Sequence, residues 1–296
     1  MFNNKRSKLI NFFLLLLILF VLNELLFFQY DEKNSLIYKV QKRLKYRESI
    51  ERGLSFYDNK SSVQKLEFDE YWLHTIISSK TNRNIAYPPV LLEKISRDPA
   101  KRIMNRADFT TDIKFERKKN IPQSGTQYNN SGYKLNAPYD SFLKTPVDDS
   151  FYKSLYCDLT GYDNEDFQIL KSMERGDGGY FDTHYLVYLL ILEKNKCYAK
   201  NLINPEIEKV IGQIIAAQKK DQYFSDLYAE RIVVLYWAGK GNLVEDSWVD
   251  KVKNNPGPDP GWRDKGTYFS NAHTTGLALL ALIYHQEGKS LQSFYP

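Results

Sequence analysis

The sequence has few of the residues and motifs that mark a specific chemistry. Only two cysteines and four histidines occur among 296 residues, and no His-x-x-x-His pair offers a tight metal-binding spacing. A glycine-rich phosphate loop and a serine nucleophile elbow are also lacking. Basic residues exceed acidic ones only slightly, 41 to 36. That balance excludes the strongly basic pattern of a nucleic-acid-binding domain, so we expect no nucleic-acid partner.

Apolar and aromatic side chains, in contrast, are abundant. The hydrophobic fraction is 43%, the aromatic fraction is 15%, and 22 residues are tyrosines. A chain of this length and composition can bury a sizeable core. The tyrosines recur in turns as well as in helices, which fits either packing between helices or a stacking surface for a ligand such as a sugar.

The first apolar stretch predicts a membrane segment. Residues 9–28 are almost uninterruptedly apolar and follow a basic cluster of Lys5, Arg6 and Lys8. Twenty helical residues would cover a hydrocarbon core of about 30 Å, and the basic flank is expected to stay cytoplasmic, which exports the main domain. A cleaved signal peptide is the alternative, but no small-x-small cleavage site follows. We therefore interpret residues 1–30 as an uncleaved single-pass anchor that has the membrane as its partner.

The rest of the chain divides into three parts by its hydrophobic pattern. Residues 31–81 have the apolar spacing of a helical hairpin. Residues 82–150 are polar and proline-interrupted, which predicts a loop-rich excursion over the helical body or a plain linker. Residues 151–296 alternate one-sided apolar helices with helices that are apolar on nearly every side. Because the latter must be enclosed, the former are expected to cover them from outside.

A repeated pattern organises this last part. Gly176–Leu192 reads GDGGYFDTHYLVYLLIL, and a polar turn followed by an apolar helix returns twice further on. Aligning His184, Glu230 and His273 gives steps of 46 and 43 residues, a period typical of stacked helical repeats. The pattern predicts three αα-hairpins within residues 151–296.

The turns before the apolar helices resemble the Gln-then-Asp-Gly-x-aromatic turns of the α/α-toroid superfamily. They lie at 173–180, 218–224 and 255–262, and the stretch 272–282 looks like the start of an inner helix of that group. The superfamily includes terpenoid cyclases and protein prenyltransferase β subunits. The resemblance covers about half of the chain and implies an all-α fold, an α/α toroid or partial (α/α) barrel of repeated hairpins. Since the Asp-x-Asp-Asp motif and the zinc site of those enzymes are both missing, it implies no activity.

If the inner helices start at one rim, their polar side chains should surround one depression. His184 or His273 would then act as a base, and a tyrosine would donate the proton. The alternative is that Asp182 and Ser270 only cap helices, while His184 and His273 bond to neighbouring turns. The candidate catalytic residues are His184, His273, Glu230, Asp182, Tyr180 and Tyr268. The candidate ligand-binding residues are Arg231, Asn271, Trp262 and Tyr223.

The sequence predicts no cofactor, with one alternative. His184, Glu230 and His273 would together supply two imidazoles and a carboxylate to a divalent metal. The two cysteines favour a structural role instead. Cys157 and Cys197 flank the first hairpin at the end opposite to the rim, and in an oxidising exported compartment a disulfide between them is expected.

Three functions fit these features. Export, a concave helical scaffold and a His/Glu/Tyr rim favour an enzyme of the cell envelope that acts on a glycan as a lyase, hydrolase or epimerase. A non-catalytic glycan-binding or scaffold protein would use the same surface without turnover. An enzyme that handles lipids or isoprenoids follows only from analogy of fold.

Overall fold

The structure is a computed structural model of the chain, and it describes part of the sequence. The predicted membrane segment and most of the loop-rich excursion lie outside the described residues. Within the described part, no helix is both long and apolar enough to span a membrane. The described residues are 36–58, 66–83, 87–96, 153–157 and 161–294.

The described residues form helices and connecting turns, with no β-strand among them. This confirms the expected all-α class. A helical turn at 153–157 and a 3-10 turn at Gly241–Leu243 accompany the longer helices. These are α1 (Leu36–Tyr57), α2 (Phe68–Thr81), α3 (Pro89–Ser96), α4 (Asn164–Lys171), α5 (Tyr180–Asn195), α6 (Lys200–Lys220), α7 (Asp226–Trp237), α8 (Asp246–Lys253) and α9 (Ala272–Glu287).

The chain divides into two compact units, Met1–Glu48 and Ser49–Pro296. The described part of the first unit is the beginning of α1. The second unit contains the end of α1 and all the later helices. The core and the candidate site described below belong to this second unit.

Helices α5, α7 and α9 supply nearly half of the buried apolar residues of the described part of the chain. Nearly every side chain of α7 and the whole stretch 274–285 of α9 are buried. Helix α7 packs against both α9 and α5, and α9 also packs against α2. In contrast, α6 and α8 each bury a single apolar stripe. The helices that are apolar all round are therefore the enclosed ones, and the striped helices cover them, as the pattern predicted.

The three core helices begin at equivalent positions and run parallel. Their N-caps are Gly179, Ser225 and Asn271, two successive steps of 46 residues. The serine and asparagine side chains each accept an N–H of the first helical turn, which satisfies one donor that the helix leaves unpaired. Side chains of α7 and α9 that are 47 to 49 residues apart form hydrogen bonds at both ends of the pair. The second step is therefore 46 residues rather than 43.

This register corrects the sequence alignment of His273 with Glu230. Counting from the N-caps, the residue of α9 that is equivalent to His184 and Glu230 is Gly276. His273 lies three residues earlier, almost one helical turn nearer to the helix start. A glycine suits the equivalent position, because an added Cβ would lie 3.1 Å from a tyrosine hydroxyl of α1 and 3.2 Å from a leucine of α2.

The turn before α5 is held by one buried carboxylate. Asp182 Oδ1 accepts the N–H groups of Arg175 (2.7 Å) and Gly176 (3.1 Å), and its Oδ2 accepts that of Gly178 (2.6 Å). Both glycines have positive φ, 77° and 67°, which favours glycine because it has no Cβ. A Cβ on Gly178 would also lie 2.6 Å from the Cβ of Ala217 in α6. The glycine-rich motif and its following aspartate therefore encode a turn.

The expected disulfide is present. Cys157 and Cys197 are bonded, with their Cα atoms 5.7 Å apart and a sequence separation of 40. The bond joins the helical turn at 153–157 to the segment after α5. Closing a loop of this length contributes about 4 kcal/mol in the chain-entropy model. Since Cys197 follows the C-terminal end of α5, the disulfide lies at the opposite end of that helix from the site described below.

We expect replacement of Asp182 by Ala to lower the free energy of unfolding by about 3 kcal/mol or more, because three backbone N–H groups lose a charged acceptor. Urea unfolding of the full chain in mild detergent measures this. The control is Glu165→Ala, which removes an exposed carboxylate from α4 and should change the stability by about 0.5 kcal/mol or less. A loss for Asp182→Ala no larger than that of the control would contradict the assigned role.

Candidate functional site

The starts of four helices meet in one polar network. Asp226, the first residue of α7, accepts hydrogen bonds from Tyr180 Oη of α5 (3.2 Å) and Thr274 Oγ1 of α9 (2.7 Å). His273 of α9 lies with its Nδ1 3.1 Å from Asp226 Oδ1 and its Nε2 3.4 Å from Oδ2 of Asp69 in α2. We call these five residues the Asp226 junction. Polar residues at the starts of these four helices are thus in contact with one another.

Asp226 is buried, and its charge depends on its partners. Burial alone would raise the pKa of its carboxyl, but the hydrogen bond and charge of His273, with the hydroxyls of Thr274 and Tyr180, lower that pKa. Its position at the start of α7 adds a favourable interaction with the helix dipole. The backbone N–H of Asp226 donates to Asp264 Oδ1 at 2.9 Å. The junction is thereby connected to the loop that precedes α9.

His273 is held as a cation. Burial alone would lower the pKa of its imidazole, but the Asp226 carboxylate, with those of Asp69 and Glu230, raises it to about 9. Each ring nitrogen faces a carboxylate, which suits a doubly protonated ring that donates on both sides. At neutral pH His273 is therefore an imidazolium. That state suits a proton donor or an anion-binding group and does not suit the role of base.

A second pair lies one helical turn further along α5 and α7. His184 Nε2 lies 3.3 Å from Glu230 Oε1, and the histidine side chain is 50% exposed while the glutamate side chain is 6% exposed. Burial raises the pKa of Glu230, which the charge of His184 and the hydroxyl of Thr183 offset only in part. The rings of His184 and Tyr180 are 6.4 Å apart. An exposed imidazole thus stands between a buried carboxylate and a tyrosine.

Four of the residues expected at the site serve in turns and caps. Asp182 holds the turn before α5, as described above. Arg231 donates from Nε to a carbonyl of that turn (2.7 Å) and pairs with Asp221 (3.1 Å). Trp262 is fully buried and donates its indole N–H to a carbonyl of α8 at 2.8 Å. Asn271 caps α9. These contacts give the four residues structural roles.

The remaining two candidates, Tyr223 and Tyr268, line an open groove of about 540 Å³. Their side chains are among the most exposed large apolar ones, at 67% and 68%. Asp264 also lines the groove, so it touches both the groove and the Asp226 junction. The groove is therefore next to the start of α7.

Sequence reasoning missed Asp226, Thr274, Asp69 and Asp264. The signal that would have found the first two is the N-cap. Asp226 is one residue after the N-cap Ser225, the position that Tyr180 has after the N-cap Gly179. Thr274 is three residues after the N-cap Asn271. The alignment followed residue type instead, and so it selected His273 as the equivalent of Glu230.

The metal site that was the alternative at His184, Glu230 and His273 is not assembled. His184 and Glu230 are in contact, but the two nitrogens of His273 face Asp226 and Asp69. In the part of the chain that the structure describes, no group of three or more His, Cys, Asp or Glu residues is arranged to hold a metal ion.

Comparison with known proteins adds no relative: no family model matches the chain, and no match was found among curated proteins or solved structures. The resemblance to α/α toroids stays an interpretation of the sequence. Any functional conclusion therefore depends on the geometry of the site.

The charge of His273 predicts a dependence of stability on pH. Because its pKa in the folded protein, about 9, is above its ordinary value of about 6.5, the charged ring stabilises the fold fully below about pH 6.5. That contribution, roughly 2 to 3 kcal/mol, is lost as the pH rises through about 9. We expect wild type to exceed His273→Gln in free energy of unfolding by this amount at about pH 6 and by much less at about pH 10.

Urea unfolding of both proteins across this range gives the difference directly. Glu165→Gln provides the control, since it changes an exposed side chain of α4 that should contribute little across this range. A difference between wild type and His273→Gln that is the same at both ends of the range would contradict a charged His273.

Proposed function

We propose that the protein is an acid/base enzyme of the cell envelope that acts on a glycan. The observation that carries this proposal is the His184–Glu230 pair beside Tyr180. An imidazole that is half exposed to solvent and held by a buried carboxylate is the arrangement expected of a general base. Tyr180 also belongs to the Asp226 junction, and the junction adds a protonated imidazole, that of His273.

In the proposed mechanism His184 removes a proton from the substrate or from an attacking water. Glu230 stabilises the imidazolium that forms, since a buried carboxylate favours the positively charged form of a neighbouring imidazole. Tyr180 faces the same space on the donor side. Burial and the carboxylates of Asp226, Asp264 and Glu230 raise its pKa, so its hydroxyl stays protonated. In the proposed step this hydroxyl exchanges its hydrogen bond to Asp226 for one to the substrate oxygen.

His273 supports the donor side. Its imidazolium is hydrogen-bonded to the same carboxylate that accepts from Tyr180, so it holds that carboxylate in its ionised form. Removal of a carbon-bound proton by His184 gives a lyase or an epimerase. Removal of a proton from water, with donation to the glycosidic oxygen, gives a hydrolase. The three reactions use the same two sides of the site.

The cellular setting belongs to the proposal as well. We place α2, α5, α7 and α9 as inner helices of an α/α toroid or partial barrel that is exported and anchored by residues 9–28. The parallel core helices with a common start support the first part. The disulfide supports export, because such bonds persist in oxidising compartments.

A non-catalytic glycan-binding protein is the second candidate, and the groove favours it. Exposed tyrosine rings beside polar groups suit binding to a sugar whether or not turnover follows. The two candidates differ in which substitutions matter. The enzyme depends on His184 and Glu230, whereas the binding protein depends on the tyrosines alone.

We expect His184→Gln to lower kcat by about 100-fold or more while KM stays nearly unchanged, because a lost general base affects the chemical step. The full chain in mild detergent is incubated with purified acidic and neutral envelope polysaccharides. New reducing ends report a hydrolase or a lyase, ultraviolet absorbance of an unsaturated sugar reports a lyase, and proton NMR reports an epimerase.

Glu230→Gln should have a similar effect on kcat, while the exposed and distant Lys289→Gln serves as the unaffected control. Thermal unfolding shows whether each variant is folded. A wild-type level of turnover in His184→Gln would overturn the assigned base. Binding of a polysaccharide that is neither cleaved nor epimerised would leave the binding-protein candidate.

A further inference from the structure

We propose that the groove next to the Asp226 junction binds an acidic oligosaccharide, with Lys265 as the residue that selects for negative charge. We call it the aromatic groove, and the residues used in the argument are Tyr223, Arg263, Asp264, Lys265, Thr267 and Tyr268. This inference deepens the proposed function, on which it rests, by naming the class of glycan.

Exposed aromatic rings are the first observation. Tyr223 and Tyr268, which leave about two thirds of their surface in solvent (67% and 68%), both line an open depression of about 540 Å³. This volume lies within the range of about 300–1,000 Å³ that small-molecule sites show. Phe269 packs edge-on against Tyr268, with ring centres 4.8 Å apart. A tyrosine ring offers an apolar face for the C–H side of a sugar and a hydroxyl for its polar edge.

The charge of the lining is the second observation. Two cationic side chains, Lys265 and Arg263, and one carboxylate, that of Asp264, line the groove. The Asp264 carboxylate already accepts the backbone N–H of Asp226, while the Lys265 ammonium lies over the ring of Tyr223 at 5.6 Å. A cation above a stacking ring is placed next to any sugar that stacks there. An acidic sugar is therefore favoured over a neutral one.

The groove is also formed before any ligand binds. On one side, Thr267 N donates to Asp264 O (3.2 Å) and closes a turn in which Gly266 has φ 85°, as the third position of a type II turn requires. Arg263 donates to the Thr267 carbonyl of the same turn (3.1 Å). The affinity for a ligand is higher when the binding groups need no ordering.

On the other side, the chain that leads to the groove is anchored to α1. The N–H of Gly257 donates to the carbonyl of Gly261 at 2.8 Å. Arg52 of α1 donates to the carbonyls of Gly257 (2.6 Å) and Asp259 (2.7 Å). The turn at 264–267 and the segment 257–261, which follows the lining residues Asn255 and Pro256, thus each have their own hydrogen bonds, and Asp264 fixes the groove to the start of α7.

Isothermal titration of the full chain in mild detergent tests the proposal with a matched pair of probes. One is a uronic-acid tetrasaccharide, and the other is the same tetrasaccharide with its carboxyl groups reduced to alcohols. We expect wild type to bind the acidic probe about fivefold or more tightly than the reduced probe. Lys265→Gln should weaken binding of the acidic probe about two- to fivefold and leave the reduced probe unaffected, whereas Lys265→Arg should keep the preference.

Tyr268→Ala should weaken binding of both probes about three- to tenfold, since stacking does not depend on the carboxylate. Lys289→Gln, a loss of an equal charge at the other end of α9, should change neither. Equal affinity of wild type for the two probes, or an acidic preference that Lys265→Gln leaves intact, would overturn the proposal. A phosphodiester-linked glycan oligomer that binds in place of the uronate would overturn the assignment to carboxylate sugars.

The result is independent of the proposed reaction. Binding of the acidic probe in the groove without turnover of any polysaccharide would refute the proposed enzyme activity and support the proposed binding site. Turnover of a glycan with a KM that Tyr268→Ala and Lys265→Gln do not change would refute the groove and leave the enzyme.

Discussion

The carboxylate of Asp226 is the group on which the arrangement of the site depends. It is buried at the start of α7, where a charge without partners would reduce the free energy of unfolding by roughly several kcal/mol. The partners come from two other helices: a tyrosine hydroxyl of α5, and a threonine hydroxyl and an imidazolium of α9. Because one anion needs all of them, the three helix starts are brought into a single register. Asp69 extends the set to α2.

The chemistry proposed for the site follows from that register. Tyr180 is hydrogen-bonded to Asp226, and one turn further along α5 His184 contacts Glu230 of α7. His184 and Glu230 are separated by 46 residues, which is the step of the repeat. In this network His273 stays charged, while the His184 side chain is half exposed to solvent. The backbone N–H of Asp226 donates to Asp264, which lines the aromatic groove. Asp226 therefore connects the aromatic groove to the helix starts that carry the acid/base pair.

The sequence predicted the helices and their burial better than the contacts that individual side chains make. Periodicity identified the enclosed helices, and the positions of the cysteines led to the disulfide. That the polar side chains of the helix starts surround one depression stays a prediction. The register of α9 was wrong, since it depends on where Asn271 caps the helix. The buried roles of Arg231 and Trp262 depend on backbone carbonyls of other segments, which no local pattern indicates.

The titration of His273, followed by NMR of its ring protons, tests the central claim most directly. In the wild-type chain the imidazole should titrate at about pH 9. In Asp226→Asn, which keeps the shape of the side chain and removes its charge, the pKa should fall toward the ordinary value of about 6.5. A wild-type pKa near about 6.5, or a high pKa that Asp226→Asn leaves unchanged, would contradict the account of Asp226 as the group that holds the helix starts together.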